Sequence, residues 1–133
     1  MALTLEIATP MRLVVTETVD EVVAPGTEGY FGVLPGHAPF LTTLGIGELT
    51  VRVGRDERHV AVSGGFAEVR NDKVIVLADT AELPEDIDRA RGERARERAE
   101  QRLSGRSQDD VDFTRAACAL ARALTRVQVA SRQ

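Results

Sequence analysis

The 133-residue chain has no tryptophan, one cysteine, one lysine and two histidines. A lone cysteine, Cys118, excludes an internal disulfide, and His37 with His59 are too few for a zinc site without several carboxylate ligands. No run of about 18 apolar residues exists to cross a membrane. Residues 1–10 alternate apolar and polar side chains instead of forming a signal-peptide core, so a cytoplasmic location is expected. Catalytic patterns are equally scarce: there is no Gly-x-Ser-x-Gly, no Walker loop and no paired-histidine helix motif. The expectation is a binding protein with no catalytic residue and no metal.

What is present falls into two parts. Hydrophobic residues make up 43% of the chain, enough for a modest core. The net charge of −4 argues against nonspecific nucleic-acid binding, but it is unevenly spread. Residues 1–82 carry 6 basic and 12 acidic side chains, a balance of −6, whereas residues 83–133 carry 11 arginines and 9 acids, a balance of +2.

From Leu3 to about Leu77 apolar residues recur with period two, as in Leu3, Leu5, Ile7 and Leu49, Val51, Val53. Further short strands are expected at 13–16, 21–23, 60–62, 66–70 and 73–77, parted by Pro25-Gly26, Gly54, Ser63-Gly64-Gly65 and Asn71-Asp72. Such closely spaced short strands predict a sandwich or barrel over residues 1–82. At Leu83-Pro84 the composition changes. Proline in a first turn, followed by Glu85, Asp86 and Asp88, predicts a helix of roughly 18 residues to Leu103. Residues 104–107 break it, Ser107 to Asp110 with Asp112 offer capping groups, and a second helix is expected to run to about Val129. Residues 83–133 thus read as an antiparallel two-helix hairpin. Its apolar faces are thin: Ile87, Ala90, Ala95, Ala99 and Leu103 on one helix, Ala116, Ala119, Leu120, Ala123, Val127 and Ala130 on the other. An alanine seam buries little surface, so the hairpin reads either as detachable or as a docked appendage.

Several segments carry possible chemistry beside a plainer structural reading. The loop from Glu28 to Phe40 interleaves glycines and prolines with aromatics. It is either a set of tight turns with Phe31 and Leu34 in the core or a contact surface anchored by Tyr30 and His37. Asp88 and Arg91, three apart on helix one, form an ion pair or share a ligand. Helix two carries Arg115, Arg122, Arg126 and Arg132 with no acid after Asp112. Arg122 and Arg126 are one turn apart, a repulsive pair that suits an anion between them, or else a solvated basic face at a helix C-terminus. Cys118 is expected to be a small packing residue.

Gly29 to Pro39, reading GYFGVLPGHAP, with Leu41, Thr42 and Gly47 after it, resembles the signature region of the epsilon subunit of F-type, proton-translocating ATP synthases. The resemblance extends to residues 5–10, the Ser63-Gly64-Gly65-Phe66 turn, residues 87–103 and residues 110–127. It implies a β-sandwich of about ten short strands followed by the hairpin. It further implies a non-catalytic rotor subunit of the central stalk that couples proton-driven rotation to ATP synthesis. Its partners would be the gamma subunit and the ring of c subunits, met by Tyr30, Phe31, Pro35 and His37, and its place the cytoplasmic face of a bacterial membrane or, alternatively, a thylakoid stromal face. The hairpin, extended, would meet alpha and beta subunits through Arg115, Arg122 and Arg126 and inhibit ATP hydrolysis. No cofactor is required, but some bacterial members bind a regulatory ATP, to which Asp88, Arg91, Arg122 and Arg126 correspond. Gly92 stands where that motif has alanine. The competing readings are a free-standing nucleotide-sensing sandwich and a small hydrolase around His37, which lacks a visible nucleophile.

Overall fold

The computed structural model describes residues 2–104 and 111–132, with side chains in the second stretch from residue 113. Eight strands form one hydrogen-bonded sheet: β1 Leu3–Ala8, β2 Leu13–Val19, β3 Glu21–Gly26, β4 Gly29–Val33, β5 Phe40–Thr43, β6 Ile46–Val53, β7 Asp56–Arg70 and β8 Lys73–Glu82. The order is β2-β1-β8-β7-β6-β3-β4, with β5 on the second half of β7. β1 and β8 run parallel and every other pair is antiparallel.

β7 joins the two parts of the sheet. Its first half pairs with β6 and its second half with β5, while β8 follows it throughout in one register. The change of direction falls at Gly64 and Gly65, both at positive φ. A Cβ on Gly65 would stand 2.0 Å from the Leu77 carbonyl oxygen, so neither the backbone angle nor the space admits a larger residue. The turn residues 63–65 expected between two strands therefore fold one 15-residue strand instead, and eight strands stand where about ten were expected. The inward residues are those of the period-two pattern: Leu3, Leu5 and Ile7 on β1, Leu49 and Val51 on β6, Val74 and Val76 on β8, all buried in one core.

The helical part begins later than its composition implied. Pro84–Asp86 make a single 3-10 turn, Ile87 is extended, and α1 spans Arg89–Leu103, 15 residues instead of about 18. Asp88 sets the start: its carboxylate accepts a hydrogen bond from the Arg91 backbone N–H at 3.1 Å, an N-cap that satisfies an otherwise orphaned donor. α2 spans Val111–Ala130. The expected capping residues 107–110 lie outside the described residues. α1 packs chiefly on α2, which in turn rests on β6 and β7 and against the 3-10 turn. The seam is as thin as its sequence: Ala99, Ala116 and Ala123 are buried, and a Cβ on buried Gly92 would lie 3.3 Å from Val127 Cγ2. Ala90 is exposed. Cys118, expected to pack, is exposed, on the helix face that also carries exposed Arg115 and Arg122 three and four residues away.

Candidate functional site where the hairpin meets the sandwich

Among the described residues, the ion pairs and buried apolar contacts that join α2 to the sheet lie toward its C-terminal end. Val129 and Ala130 join Ala61 and Ile87 in a small apolar cluster separate from the sandwich core. Around it stand two ion pairs. Arg126 Nε donates to Glu82 Oε1 of β8 at 2.7 Å, and Arg132 Nε donates to Glu48 Oε1 of β6 at 3.1 Å. They differ in setting. Glu82 and Arg126 are both partly exposed, whereas the Glu48 side chain keeps 8% of its surface and its Oε2 is buried without a partner. His59 on β7 also faces this carboxylate, with Nδ1 2.6 Å from Glu48 Oε1 and 3.3 Å from the Thr50 hydroxyl. The Glu48 backbone N–H donates to the Tyr30 hydroxyl at 3.2 Å.

Of the four residues matched to nucleotide, two line a common cavity. Arg122 and Arg126 line one cavity of about 190 Å³ with Ser63, Thr80, Glu82 and Thr125, below the roughly 300–1,000 Å³ of common small-molecule sites. Asp88 and Arg91 do not line it, and the Asp88 carboxylate is engaged as the α1 cap. The anion beside this arginine pair is a carboxylate of the sandwich, Glu82, held by Arg126. Arg115 and Arg122 are exposed and form no ion pair among the described residues.

The four residues matched to the rotor partners are split as well. Phe31 and His37 gather around Phe40, with edge-on ring centroids at 5.2 and 6.0 Å. Pro35 and His37 line a shallow groove whose loop is pinned by the Gly36 N–H on Asp72 at 2.7 Å. Tyr30 points elsewhere, into the cavity beside Glu48 and Arg132. Of the two residues read as potential core, Phe31 is half-buried against the core and Leu34 is exposed.

An apolar surface that sequence reading missed lies on the outer face of the other layer. The registers align Phe66 with Leu77, Leu77 with Ala8, and Ala8 with Leu13 in one row across β7, β8, β1 and β2. Phe66 and Leu77 are each 55% exposed, Leu13 59% and neighbouring Met11 89%. Three large apolar side chains this exposed in one row, with Met11 beside them, mark an interaction surface. In sequence, Phe66 and Leu77 look like ordinary strand residues. The signal was their odd place in the alternation, opposite to Ala67, Val69, Val74 and Val76.

Both parts of the chain match models of one class. Residues 2–84 match the family model described as ATP synthase, Delta/Epsilon chain, beta-sandwich domain, and residues 85–131 the one described as long alpha-helix domain. The class is therefore a two-part delta/epsilon chain. ATP synthase epsilon chains of Nitratidesulfovibrio vulgaris and Syntrophobacter fumaroxidans are 55% and 53% identical over 128 residues, covering 96% of this chain and 95% of each relative. A chain of Euglena gracilis mitochondrial ATP synthase, solved with OSCP, F1 and c-ring, superimposes with a TM-score of 0.81 at 25% identity, covering 99% of this chain and 82% of its own. The chain belongs to the ATP synthase epsilon chain family.

The two ion pairs should contribute unequally. Loss of Arg132 leaves a buried carboxylate short of its countercharge, which costs about 1–3 kcal/mol. A partly exposed pair such as Arg126 with Glu82 is worth about 0.2–1 kcal/mol. Urea unfolding of the full chain is expected to show the larger loss for Arg132→Ala, and that loss should shrink in a Glu48→Gln background. Equal or reversed losses would refute this ranking.

Proposed function

We propose that the chain is a non-catalytic subunit of the rotating central stalk, peripheral to the cytoplasmic face of a cell membrane, with residues 1–82 as the seat on the rotor and residues 83–133 as a mobile brake. The sandwich would bind a gamma-type subunit and the ring of c subunits. The hairpin would exchange between the docked state and an extended one in which Arg115, Arg122 and Arg126 meet acidic surfaces of alpha and beta subunits and restrain ATP hydrolysis. The observation that carries this reading is the fastening of the hairpin to the sandwich: a small apolar cluster and three ion pairs, Arg126 with Glu82, Arg132 with Glu48 and Arg12 with Asp86. Electrostatic contacts can be exchanged for equivalent ones on another protein at little net cost, unlike a packed apolar interface.

On the rotor side, the row Phe66, Leu77 and Leu13 with Met11 beside it supports a protein partner, as does the separate aromatic group of Phe31, His37 and Phe40. The solved Tetrahymena thermophila chain, whose title names a central stalk and c-ring, is 16% identical with a TM-score of 0.58 and speaks for the fold alone. No helix among the described residues is long and apolar enough to cross a membrane, and attachment would come through the complex.

In a reconstituted complex the full chain is expected to co-purify stoichiometrically with the gamma-type subunit, and Phe66→Glu with Leu77→Glu to cut that recovery at least tenfold. A chain that stays alone beside that subunit would overturn the rotor reading. Removing residues 83–133 should leave assembly intact and raise ATP hydrolysis, whereas unchanged hydrolysis would remove the brake.

A regulatory ATP is a separate part of the proposal. Its phosphates would be met by Arg122 and Arg126, with Asp88 and Arg91 as the residues matched on α1, and Glu82 would compete with them for Arg126. Calorimetry with ATP should show binding that Arg122→Ala abolishes and Glu82→Gln strengthens. No heat with either the native chain or Glu82→Gln would discard it.

A further inference from the structure

Glu48 is a single buried carboxylate with two cationic suitors on different bodies. Arg132 reaches it from the turn that follows α2, and His59 reaches the same oxygen from β7. The diagonal placement of Glu48 and His59 follows from the β6–β7 register, which sets Thr50 opposite His59 and Glu48 two residues earlier on the same outward face. We propose that His59 and Arg132 compete as countercharges for Glu48, so that protonation of His59 releases the hairpin. This inference rests on the reading of the hairpin as mobile and adds what regulates it.

The sign follows from which charges are present in each state. With the hairpin docked, Arg132 neutralises Glu48, and a neutral His59 needs only to donate its Nδ1–H. A proton added to His59 then meets the Arg132 guanidinium on the same oxygen. With the hairpin detached, Glu48 has lost Arg132, and an imidazolium at His59 keeps the carboxylate beside it without a guanidinium on the same oxygen. The detached state therefore binds the proton more tightly. By reciprocity, a proton bound to His59 weakens docking by the same factor.

The other charged groups leave that sign intact. Glu57 Oε2 lies 3.9 Å from His59 Nε2 on the same strand and favours the imidazolium in both states. Arg58 on β7 is paired with Glu17 on β2, both within the sandwich. Glu85, just before α1, lines the neighbouring cavity of about 610 Å³, and the Tyr30 hydroxyl is held by the Glu48 backbone. Protonation of Glu48 itself, or of Glu82 beneath Arg126, would loosen α2 in the same direction. Access is open, since His59 and Arg132 are shared by two cavities, the one with Glu85 and another of about 390 Å³ with Tyr30 and Glu57.

The native chain provides its own probe, because its single cysteine, Cys118, is exposed on α2. A spin label there should broaden sandwich amide resonances at pH 8 and lose that effect toward pH 5.5, while in His59→Gln the broadening should persist at both values. Equal docking of the native chain at both pH values, or the same loss in His59→Gln, would overturn the latch. The second measurement does not depend on that variant folding. The His59 ring resonance should titrate about one pH unit higher in Arg132→Gln than in the native chain, with His37 as internal control. That is a tenfold weakening of docking on protonation. An unmoved midpoint would overturn the competition. A hairpin that stays docked at every pH in Arg126→Gln, Arg132→Gln would overturn the mobile-hairpin reading and the latch together. Detachment in that variant, with a native chain indifferent to pH, would overturn the latch alone.

Discussion

The position of the hairpin depends on one constraint: the Glu48 carboxylate is buried and must be neutralised. An uncompensated charge in a protein interior costs several kcal/mol, and a buried pair earns stability only if its hydrogen bonds are good. Glu48 is not buried by the sandwich, whose alternation directs it outward. It is covered by the end of α2, so the element that hides the charge also brings the arginine that balances it. Removing the hairpin would expose the carboxylate and remove its partner in one motion. Docking is therefore close to neutral electrostatically, and the small apolar cluster of Ala61, Ile87, Val129 and Ala130 supplies the direct gain.

Local pattern carried far in this chain. Period-two alternation identified β1 and β6 with the correct inward residues, because strands with one buried face must alternate. Proline, acids and helix formers after residue 83 marked the hairpin. Where local pattern fell short, the deciding force was long range. Ser63-Gly64-Gly65 has the composition of a turn, but β8 hydrogen-bonds along both sides of it and keeps β7 one strand. Pro84 and three acids have the composition of a helix start, yet Asp88 alone has an N–H within reach to cap, and α1 begins after it.

The same limit explains the site. Arg122 and Arg126 were visible as an unbalanced pair because both lie on one helix, but their anion, Glu82, lies 44 residues before Arg126 and belongs to a strand. Glu48 and Arg132 are 84 residues apart, and nothing in the neighbourhood of either hints at the other. His59 drew attention only as one of two histidines. The apolar row was hidden for a different reason: apolar residues in strands are read as core, and Phe66 and Leu77 reveal themselves only once register shows that their strand neighbours already fill it.

The uneven charge of the two parts acquires a physical meaning in these pairs. The acidic sandwich attracts the arginine-rich hairpin, and two of its carboxylates are met by Arg126 of α2 and by Arg132 just after it. Those arginines are a shared resource. Arg126 cannot hold Glu82 and meet an acidic surface elsewhere, and Arg132 cannot neutralise Glu48 from a distance. A hairpin whose docked contacts and outward contacts draw on one set of guanidiniums has alternatives that exclude each other. The choice between them then responds to any change that leaves Glu48 or Glu82 less in need of an arginine.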